Sequence, residues 1–232
     1  MSADSKHVLI AGATGYMGQA LVSRLLERGH QVRGLARPGS ENKLPPGCIA
    51  VIGNALDHRT YAAQVPPADT FVHLVGVPHP SPSKAAQFRA VDLPAFGASL
   101  AAAGQAGVHH FVYVSVAHPA PVMKAYLAVR KECESLLRAS GLAATILRPW
   151  YVLGPGHRWP YLLLPLYWIL EQIPATREGA ERLGLVTRAQ MIAALVDAVE
   201  NPAAGVGILD VPQIRAAGGA PRRRAASVTR SM

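Results

Sequence analysis

The sequence has little cysteine, and its two cysteines lie far apart. Cys48 and Cys133 are the only ones among 232 residues, which excludes a disulfide framework. Unpaired cysteines are usual in reducing compartments, so the composition predicts a cytoplasmic protein. No group of histidine, cysteine, aspartate or glutamate residues has the spacing of metal ligands, and we therefore predict no metal site.

Long uninterrupted hydrophobic runs are also missing. The apolar run 7–11 is too short for a signal peptide and leads directly into a glycine motif. The apolar stretch 159–173 is interrupted by Pro160, Pro165 and Glu171, and it is too short to cross a bilayer as a helix. Half of all residues are nonetheless hydrophobic and only 16% are charged, a composition typical of a globular domain.

Acidic residues are absent from the last eighteen positions, which hold five of the nine net positive charges of the chain. These five are Arg215, Arg222, Arg223, Arg224 and Arg230. Small residues surround them, so we predict a basic, disordered tail over 215–232. Because no aromatic residue accompanies these arginines, we predict no nucleic-acid partner.

The rest of the chain alternates short β-branched runs with longer helical patterns. This alternation predicts a single α/β domain over 1–214, built on a doubly wound parallel sheet. Strands are predicted at 7–11, 31–36, 48–52, 70–74, 109–115 and 144–147, and helices at 16–28, 82–106 and 122–139. The strands are apolar throughout, as expected when helices cover both faces of the sheet. Gly29 and Gly141 stand where the first and third helices would end.

A different pattern follows the sixth predicted strand. We assign 157–214 to a substrate-side segment with a helix that begins after Thr187, a candidate N-cap, and a last strand at 206–211. Six of the fourteen aromatic residues lie within 150–168. This aromatic stretch, with the apolar residues up to 173, has three interpretations: the wall of an apolar substrate pocket, a helix completing the core, or a contact with a membrane surface or a protein.

The strongest motif is a glycine pattern between the first strand and the first helix. Gly12, Gly15 and Gly18 have GxxGxxG spacing, which permits a tight turn, close approach of the backbone to a pyrophosphate, and packing of the helix on the strand. The free N–H groups of Tyr16 and Met17 would then face the phosphates. This context predicts a dinucleotide site, to which we also assign Thr14.

The end of the second strand indicates which dinucleotide is bound. An NAD site usually has an acidic residue there for the ribose 2′-hydroxyl, whereas an arginine accommodates a 2′-phosphate. Arg37 stands at this position with no acid before Glu41, which predicts NADP rather than NAD. We also assign Leu56 and Asp57 to the site; Asp57 either accepts from the adenine amino group or caps a helix.

Several segments resemble atypical, NmrA-like or extended short-chain dehydrogenases/reductases. They are GATGYMG at 12–18, LAR at 35–37, GNALD at 53–57, HLVG at 73–76, FVYVS at 111–115, RKECESLLRASGL at 130–142 and ILRPWYVLGPG at 146–156. The resemblance implies a Rossmann sheet of six or seven strands with NAD(P) across its carboxyl ends. It further implies that Val75 and Gly76 line the adenosine side, and that Ser115 and Pro149 lie toward the nicotinamide.

The catalytic helix departs from that family, whose active members carry Tyr-x-x-x-Lys. The match to the family pattern, in which Glu134 follows three residues later, assigns Lys131 as the family lysine. Leu127 then occupies the position of the family tyrosine. Tyr126 precedes Lys131 by five residues, about 140° around a helix, so the two would not share a face. In the alternative register Tyr126 pairs with Arg130, a cation that cannot shuttle protons. Ser115 either polarises a carbonyl or is merely the small residue that this strand end needs.

Two functions are compatible with these features. The first is an NADP-dependent oxidoreductase acting on a small apolar carbonyl, enone or quinone-like substrate. In it Lys131 holds the nicotinamide ribose, and the proton donor is unassigned. The second is a non-catalytic NADP-binding protein, either a redox sensor or an accessory protein that interacts with a partner. The displaced tyrosine favours the second function.

Overall fold

The computed structural model describes residues 5–120, 122–153 and 183–217. Their main feature is a seven-stranded sheet with the order β3-β2-β1-β4-β5-β6-β9, in which every neighbouring pair is parallel. Its strands are β1 (His7–Ala11), β2 (Gln31–Ala36), β3 (Ile49–Ile52), β4 (Thr70–His73), β5 (His110–Val114), β6 (Ala143–Arg148) and β9 (Val206–Asp210). The predicted doubly wound Rossmann fold is confirmed.

Helices cover both faces of this sheet. They are α1 (Tyr16–Glu27), α2 (Leu93–Gln105), α3 (Lys124–Ala139), α4 (Arg188–Glu200) and α5 (Val211–Ala217). On one face, aromatic side chains such as Phe71 and Phe111 pack beneath α2 and α3. On the other face, Val72 and Val112 pack beneath α1 and α4. Adjacent residues of one strand thus enter different cores, which is why the strands are apolar without alternation.

The strand order reverses beside β1. The chain runs from β1 outward to β2 and β3, then returns to place β4 on the other side of β1. The Leu74 N–H donates to the Ala11 carbonyl, with 2.9 Å from N to O, so the loops that follow β1 and β4 begin next to each other. In an open parallel sheet this reversal opens a crevice at the carboxyl ends of the strands, where ligands bind.

One predicted helix differs from the structure. The pattern at 82–106 predicts a continuous helix, but a 3₁₀ turn (Pro82–Lys84), a single α-turn (Ala85–Gln87) and a π-turn (Phe88–Asp92) precede α2. Pro94 has no N–H to donate to a carbonyl four residues earlier, so a regular α-helix cannot run through this position.

Other boundaries agree more closely. Gly29 and Gly141 have φ angles of +85° and +74°, which suits their positions just past α1 and α3. Thr187 caps α4 through a reciprocal pair of hydrogen bonds with Gln190. Helix α5 continues through Ala217, so the first three residues of the predicted tail are folded, and 218–232 lie outside the described residues.

Two further strands were not predicted. Strands β7 (Tyr151–Leu153) and β8 (Leu185–Thr187) form a separate parallel pair. The aromatic stretch itself falls mostly within 154–182, outside the described residues. In the described part of the chain, no helix is long and apolar enough to cross a membrane.

Candidate functional site

The glycine motif forms a tight turn between β1 and α1. Gly12 has a φ angle of +92°, and its carbonyl accepts a 3.0 Å hydrogen bond from the Gly15 N–H. A Cβ on Gly18 would lie 2.1 Å from the Gly12 carbonyl oxygen, closer than any real contact. Glycine is therefore required at 12 by conformation and at 18 by space.

This turn leaves the first N–H groups of α1 unused. Gly15 is the N-cap, and no side chain caps the helix. Within the described residues, the N–H groups of Tyr16 and Met17 have no acceptor, and they point outward at the positive end of the helix dipole. Thr14 lies in the same turn, where its carbonyl accepts from the Gln19 side chain. Such a cradle fits a pyrophosphate.

An exposed arginine follows β2. Arg37 makes no hydrogen bond or ion pair with any described residue, and it is exposed. Glu41, the nearest acid, accepts from the Gly39 N–H at 3.1 Å, so its carboxylate is engaged with its own loop. The guanidinium of Arg37 is consequently available to an anion beside the carboxyl end of β2.

Asp57 is committed to local contacts. Its carboxylate accepts from the Arg59 N–H at 3.1 Å and from the Arg59 guanidinium at 2.9 and 3.0 Å. The hydrogen bond from the Arg59 side chain is the main cause of a lowered Asp57 pKa. Of the two predicted roles, the structure therefore has the cap, at the start of a 3₁₀ turn. Leu56 beside it is an exposed large apolar side chain.

The loop after β4 lies over a buried pair of charges. Val75 packs against the core, and the Val77 N–H donates to Asp92 Oδ1 at 2.7 Å. A Cβ on Gly76 would lie 2.6 Å from Arg130 Nη2 and 3.0 Å from Asp92 Oδ1. A larger residue at 76 would therefore displace the Arg130 guanidinium that lies beneath it.

Arg130 rather than Lys131 extends into this region. The Arg130 guanidinium is buried and donates to the Tyr113 hydroxyl at 3.2 Å and to the Val114 carbonyl at 3.1 Å. Its Cζ lies 4.9 Å from the centre of the Tyr126 ring, a cation–π distance. The structure therefore has the Tyr126/Arg130 register. Burial acts to lower the pKa of Arg130, but Tyr126, Tyr113 and Asp92 outweigh it and raise the pKa.

Lys131 occupies a different face of α3. Its side chain is exposed, and it forms no hydrogen bond or ion pair with the described residues. Leu127 is buried and so belongs to the core rather than to a catalytic position. The assignment of Lys131 to the nicotinamide ribose stays a prediction.

Ser115 is part of a buried ionic cluster. Its hydroxyl donates to Glu134 Oε1 at 2.7 Å, and Arg138 and Arg148 donate to the same carboxylate. Burial acts to raise the pKa of Glu134, but the hydrogen bonds from Arg148 and Ser115 outweigh it and lower the pKa to about 2. The hydroxyl of Ser115 is therefore engaged with a carboxylate, and its predicted contact with a substrate carbonyl would require that bond to break.

Pro149 lies beside this cluster, just after β6. It is buried, and its carbonyl accepts from the Ala117 N–H at 2.9 Å. The segments that follow β5 and β6 are thereby tied together at the carboxyl edge of the sheet. Among the described residues there is no group of three metal-ligating side chains.

A known family accounts for this arrangement. The family model described as NAD(P)H-binding matches residues 12–162, which include the glycine turn, Arg37 and most of the carboxyl edge. The chain belongs to this NAD(P)H-binding family. Its Rossmann sheet is shared with solved short-chain dehydrogenases/reductases, in agreement with the resemblance seen in the sequence.

Curated relatives of this NAD(P)H-binding protein are longer. A ceramide reductase from Caulobacter vibrioides is 29% identical over 165 residues, which are 67% of this chain and 50% of the relative. A 3-beta-hydroxysteroid dehydrogenase from Mycolicibacterium neoaurum is 31% identical over 118 residues, 48% of this chain and 32% of the relative. The chain thus spans about a third to a half of the length of these two relatives.

Solved structures share the fold. The Bordetella bronchiseptica enzyme WbmH in complex with NAD⁺ has a TM-score of 0.67 at 23% identity, covering 89% of this chain and 76% of that one. A short-chain dehydrogenase/reductase superfamily protein from Agrobacterium tumefaciens with bound NAD has a TM-score of 0.64 at 20% identity, covering 90% and 82%.

Local sequence patterns do not reveal two residues at this edge of the NAD(P)H-binding protein. Asp92 lies next to Arg130 in space but 38 positions earlier in the chain, so no local pattern reveals the pair. In the sequence, Arg148 stands out only as part of the ILRP segment. Its partner Glu134 stands out only because it follows Lys131 by three residues. Arg130 had a usable signal, because it precedes the buried Cys133 and Leu137 by three and seven residues, the spacing of one helix face.

Proposed function

We propose that this protein is an NADP(H)-dependent oxidoreductase of the short-chain dehydrogenase/reductase type. Its substrate would be a small apolar carbonyl, enone or quinone-like compound. The observation that carries the proposal is that Arg130 lies beneath the loop after β4 and faces the ring of Tyr126, which comes from the same helix α3. This loop lies at the sheet edge that also carries the glycine turn. A bound nicotinamide would supply or accept hydride at this edge.

The cofactor preference follows from the adenosine side. The N–H groups of Tyr16 and Met17 would hold the pyrophosphate, and Arg37 would hold a 2′-phosphate by charge-assisted hydrogen bonds. An NAD site would instead need an acidic residue near Arg37, and Glu41 is engaged with Gly39. These contacts support NADP(H) over NAD(H).

Tyr126 is the proposed proton donor. Its ring packs between Phe88, at 5.0 Å between ring centres, and the Arg130 guanidinium. These contacts fix the direction of the phenol, and a positioned phenol can protonate an oxygen that gains negative charge. Tyr126 and Lys131 are five residues apart and do not share a helix face, so they cannot act as a pair. Tyr126 and Arg130 are four residues apart and do share a face, which supports this role for Tyr126.

The names of the curated relatives support the apolar substrate class. The curated relatives include enzymes named for ceramide and for hydroxysteroids, and both kinds of compound are largely apolar. An apolar wall formed by the aromatic stretch stays a prediction, because most of it lies outside the described residues.

A second candidate function is supported by the same edge of the sheet. Ser115 donates to Glu134, and the cation that faces Tyr126 is an arginine, which cannot exchange protons at neutral pH. A protein that binds NADP(H) without turnover, as a redox sensor or an accessory protein, would need neither group free.

Calorimetric measurements of affinity test the cofactor preference. Calorimetric titration should give NADPH an affinity at least about tenfold above that of NADH, since a charge-assisted contact contributes about 1.5–3 kcal/mol. Arg37→Ala should remove that preference, whereas Arg24→Ala should retain it, because Arg24 is a surface arginine paired with Glu27. Equal affinities in the unmodified protein would contradict the NADP assignment.

Turnover separates the two candidate functions. With a panel of quinones, enones and ketones, Tyr126→Phe should lower kcat by about a hundredfold or more while leaving the Kd of NADPH within about twofold. A loss below tenfold would remove Tyr126 as proton donor. Tight NADPH binding without turnover of any panel compound would make the sensor or accessory function the better one.

A further inference from the structure

A buried ion pair lies beneath the proposed cofactor site. The side chains of Asp92 and Arg130 are 1% and 8% exposed, and Arg130 Nη2 lies 3.9 Å from Asp92 Oδ2. The pair joins the π-turn before α2 to the middle of α3. Neither charge is used as a proton donor in the proposed function, so the burial of the pair requires another explanation.

The pairing is poor as a source of stability. Asp92 Oδ2 and Arg130 Nε have no hydrogen-bond partner among the described residues, and 3.9 Å is too long for a hydrogen bond between the two groups. Burying two charges costs free energy that only good geometry recovers. Packing apolar side chains here would stabilise the fold at least as well, which points to a role beyond stability.

Among the described residues, Asp92 instead makes a short contact with the main chain of the loop after β4. Its Oδ1 accepts from the Val77 N–H at 2.7 Å. The same oxygen lies 3.0 Å from the position that a Cβ on Gly76 would occupy. The carboxylate therefore ties the π-turn to the backbone of the loop after β4 at Val77.

The π-turn that carries Asp92 also contacts the proposed proton donor. It begins at Phe88, whose ring packs on Tyr126, and it ends at Asp92, beside Arg130. One short element thus touches both members of the Tyr126/Arg130 pair. π-Turns inside helices occur frequently at functional sites.

We propose that Asp92 is the positioning residue of the cofactor site. It holds the loop after β4 through Val77, and its charge keeps the Arg130 guanidinium beneath Gly76 and against the Tyr126 ring. This inference rests on the proposed function, because it takes the loop after β4 to line the bound dinucleotide. Asp92 acts through these neighbours and does not touch the reacting atoms.

The first test is the variant Asp92→Asn. Asparagine keeps an oxygen for the Val77 N–H but removes the charge that faces Arg130, so NADPH should bind the folded protein about tenfold more weakly. Asp69→Asn is the matched control: the Asp69 carboxylate accepts from the His7 N–H at 2.9 Å, at the opposite edge of the sheet. Its Kd should stay within about twofold of the unmodified protein.

Affinity is measured by NADPH fluorescence well below the unfolding temperature of each variant, where every variant is folded. If Asp92 only stabilised the fold, the Kd would then be unchanged. Arg130→Met, and the double variant Asp92→Asn/Arg130→Met, complete a cycle. Since Asp92 acts through Arg130, the double variant should bind NADPH no more weakly than Arg130→Met. If either single variant does not fold, the double variant, which buries no unpaired charge, should still bind about tenfold more weakly than the unmodified protein.

Three results would overturn the inference. They are an unchanged Kd in Asp92→Asn, additive losses in the cycle, or an unmodified Kd in the double variant. Failure of the unmodified protein to bind NADPH would instead remove the proposed function, and the positioning role with it. The two failures are therefore distinguishable.

Discussion

Glu134 offers the sharpest prediction about stability. Its side chain is only 2% exposed, and it accepts hydrogen bonds from Ser115, Arg138 and Arg148. These residues lie just after β5, in α3 and at the end of β6. The substitution Glu134→Gln keeps the size of the side chain but removes its charge. Arg148, whose side chain is 12% exposed, then loses its main counter-charge in a largely buried position.

The magnitude follows from the pKa. The pKa of Glu134 is lowered from 4.5 to about 2 in the folded protein, and each pH unit corresponds to about 1.4 kcal/mol. Ionised Glu134 therefore stabilises the folded state by about 3 kcal/mol at pH 7. Loss of one partner of a buried ion pair costs a similar amount, about 3–5 kcal/mol.

The pH dependence has a definite sign. Because the folded pKa lies below the unfolded one, this stabilisation is fully present above about pH 4.5 and is lost as the pH falls toward 2. The difference in free energy of unfolding between the unmodified protein and Glu134→Gln should therefore fall to about 1–1.5 kcal/mol at pH 3. Urea unfolding at pH 7, 5, 4 and 3 measures it.

Glu132 provides the control on the same helix. It pairs with Arg89 at 3.2 Å, but both side chains are largely exposed, so Glu132→Gln should cost less than about 1 kcal/mol at any pH. A Glu134→Gln difference that is the same at pH 7 and pH 3, or no larger than the Glu132→Gln difference, would refute this reasoning.

Two further predictions concern the fold. Gly18→Ala would place a Cβ 2.1 Å from the Gly12 carbonyl oxygen, so we expect a loss of at least about 2 kcal/mol in urea unfolding together with loss of NADPH binding. Gly97→Ala is the control within α2, where nothing lies within 4 Å of the new Cβ, and it should be neutral or stabilising by up to about 1 kcal/mol; similar results for both variants would contradict the cradle geometry. Thr187→Ala removes the cap of α4 and should lower the free energy of unfolding by about 1 kcal/mol, whereas Thr187→Ser should restore most of it; an unchanged Thr187→Ala variant would contradict the capping role.

Local sequence patterns were sufficient for the sheet and for the phosphate cradle. Apolar runs, their helical connections and the glycines at 12, 15 and 18 act over a few residues, so their structural meaning can be recognised without knowledge of the rest of the chain. The same holds for the Thr187 cap and for Gly29 and Gly141. Arg37 was also visible, because its position depends only on where β2 ends.

Only the tertiary structure decided which cation faces the proposed active site. Arg130 and Lys131 are adjacent, and they differ by about 100° around α3. The face that turns inward is set by the packing of Cys133 and Leu137 against the sheet, and this places Arg130 beneath the loop after β4 and leaves Lys131 exposed.

The partners of the buried charges were likewise beyond local patterns. Asp92 meets Arg130, and Glu134 meets Arg148, only because separate elements converge at one edge of the sheet. A buried charge is tolerated or not according to groups that are distant in the chain. The sequence by itself therefore determined the fold and the glycine turn between β1 and α1. The arrangement of charges around Tyr126 depended instead on contacts between elements that only the folded chain brings together.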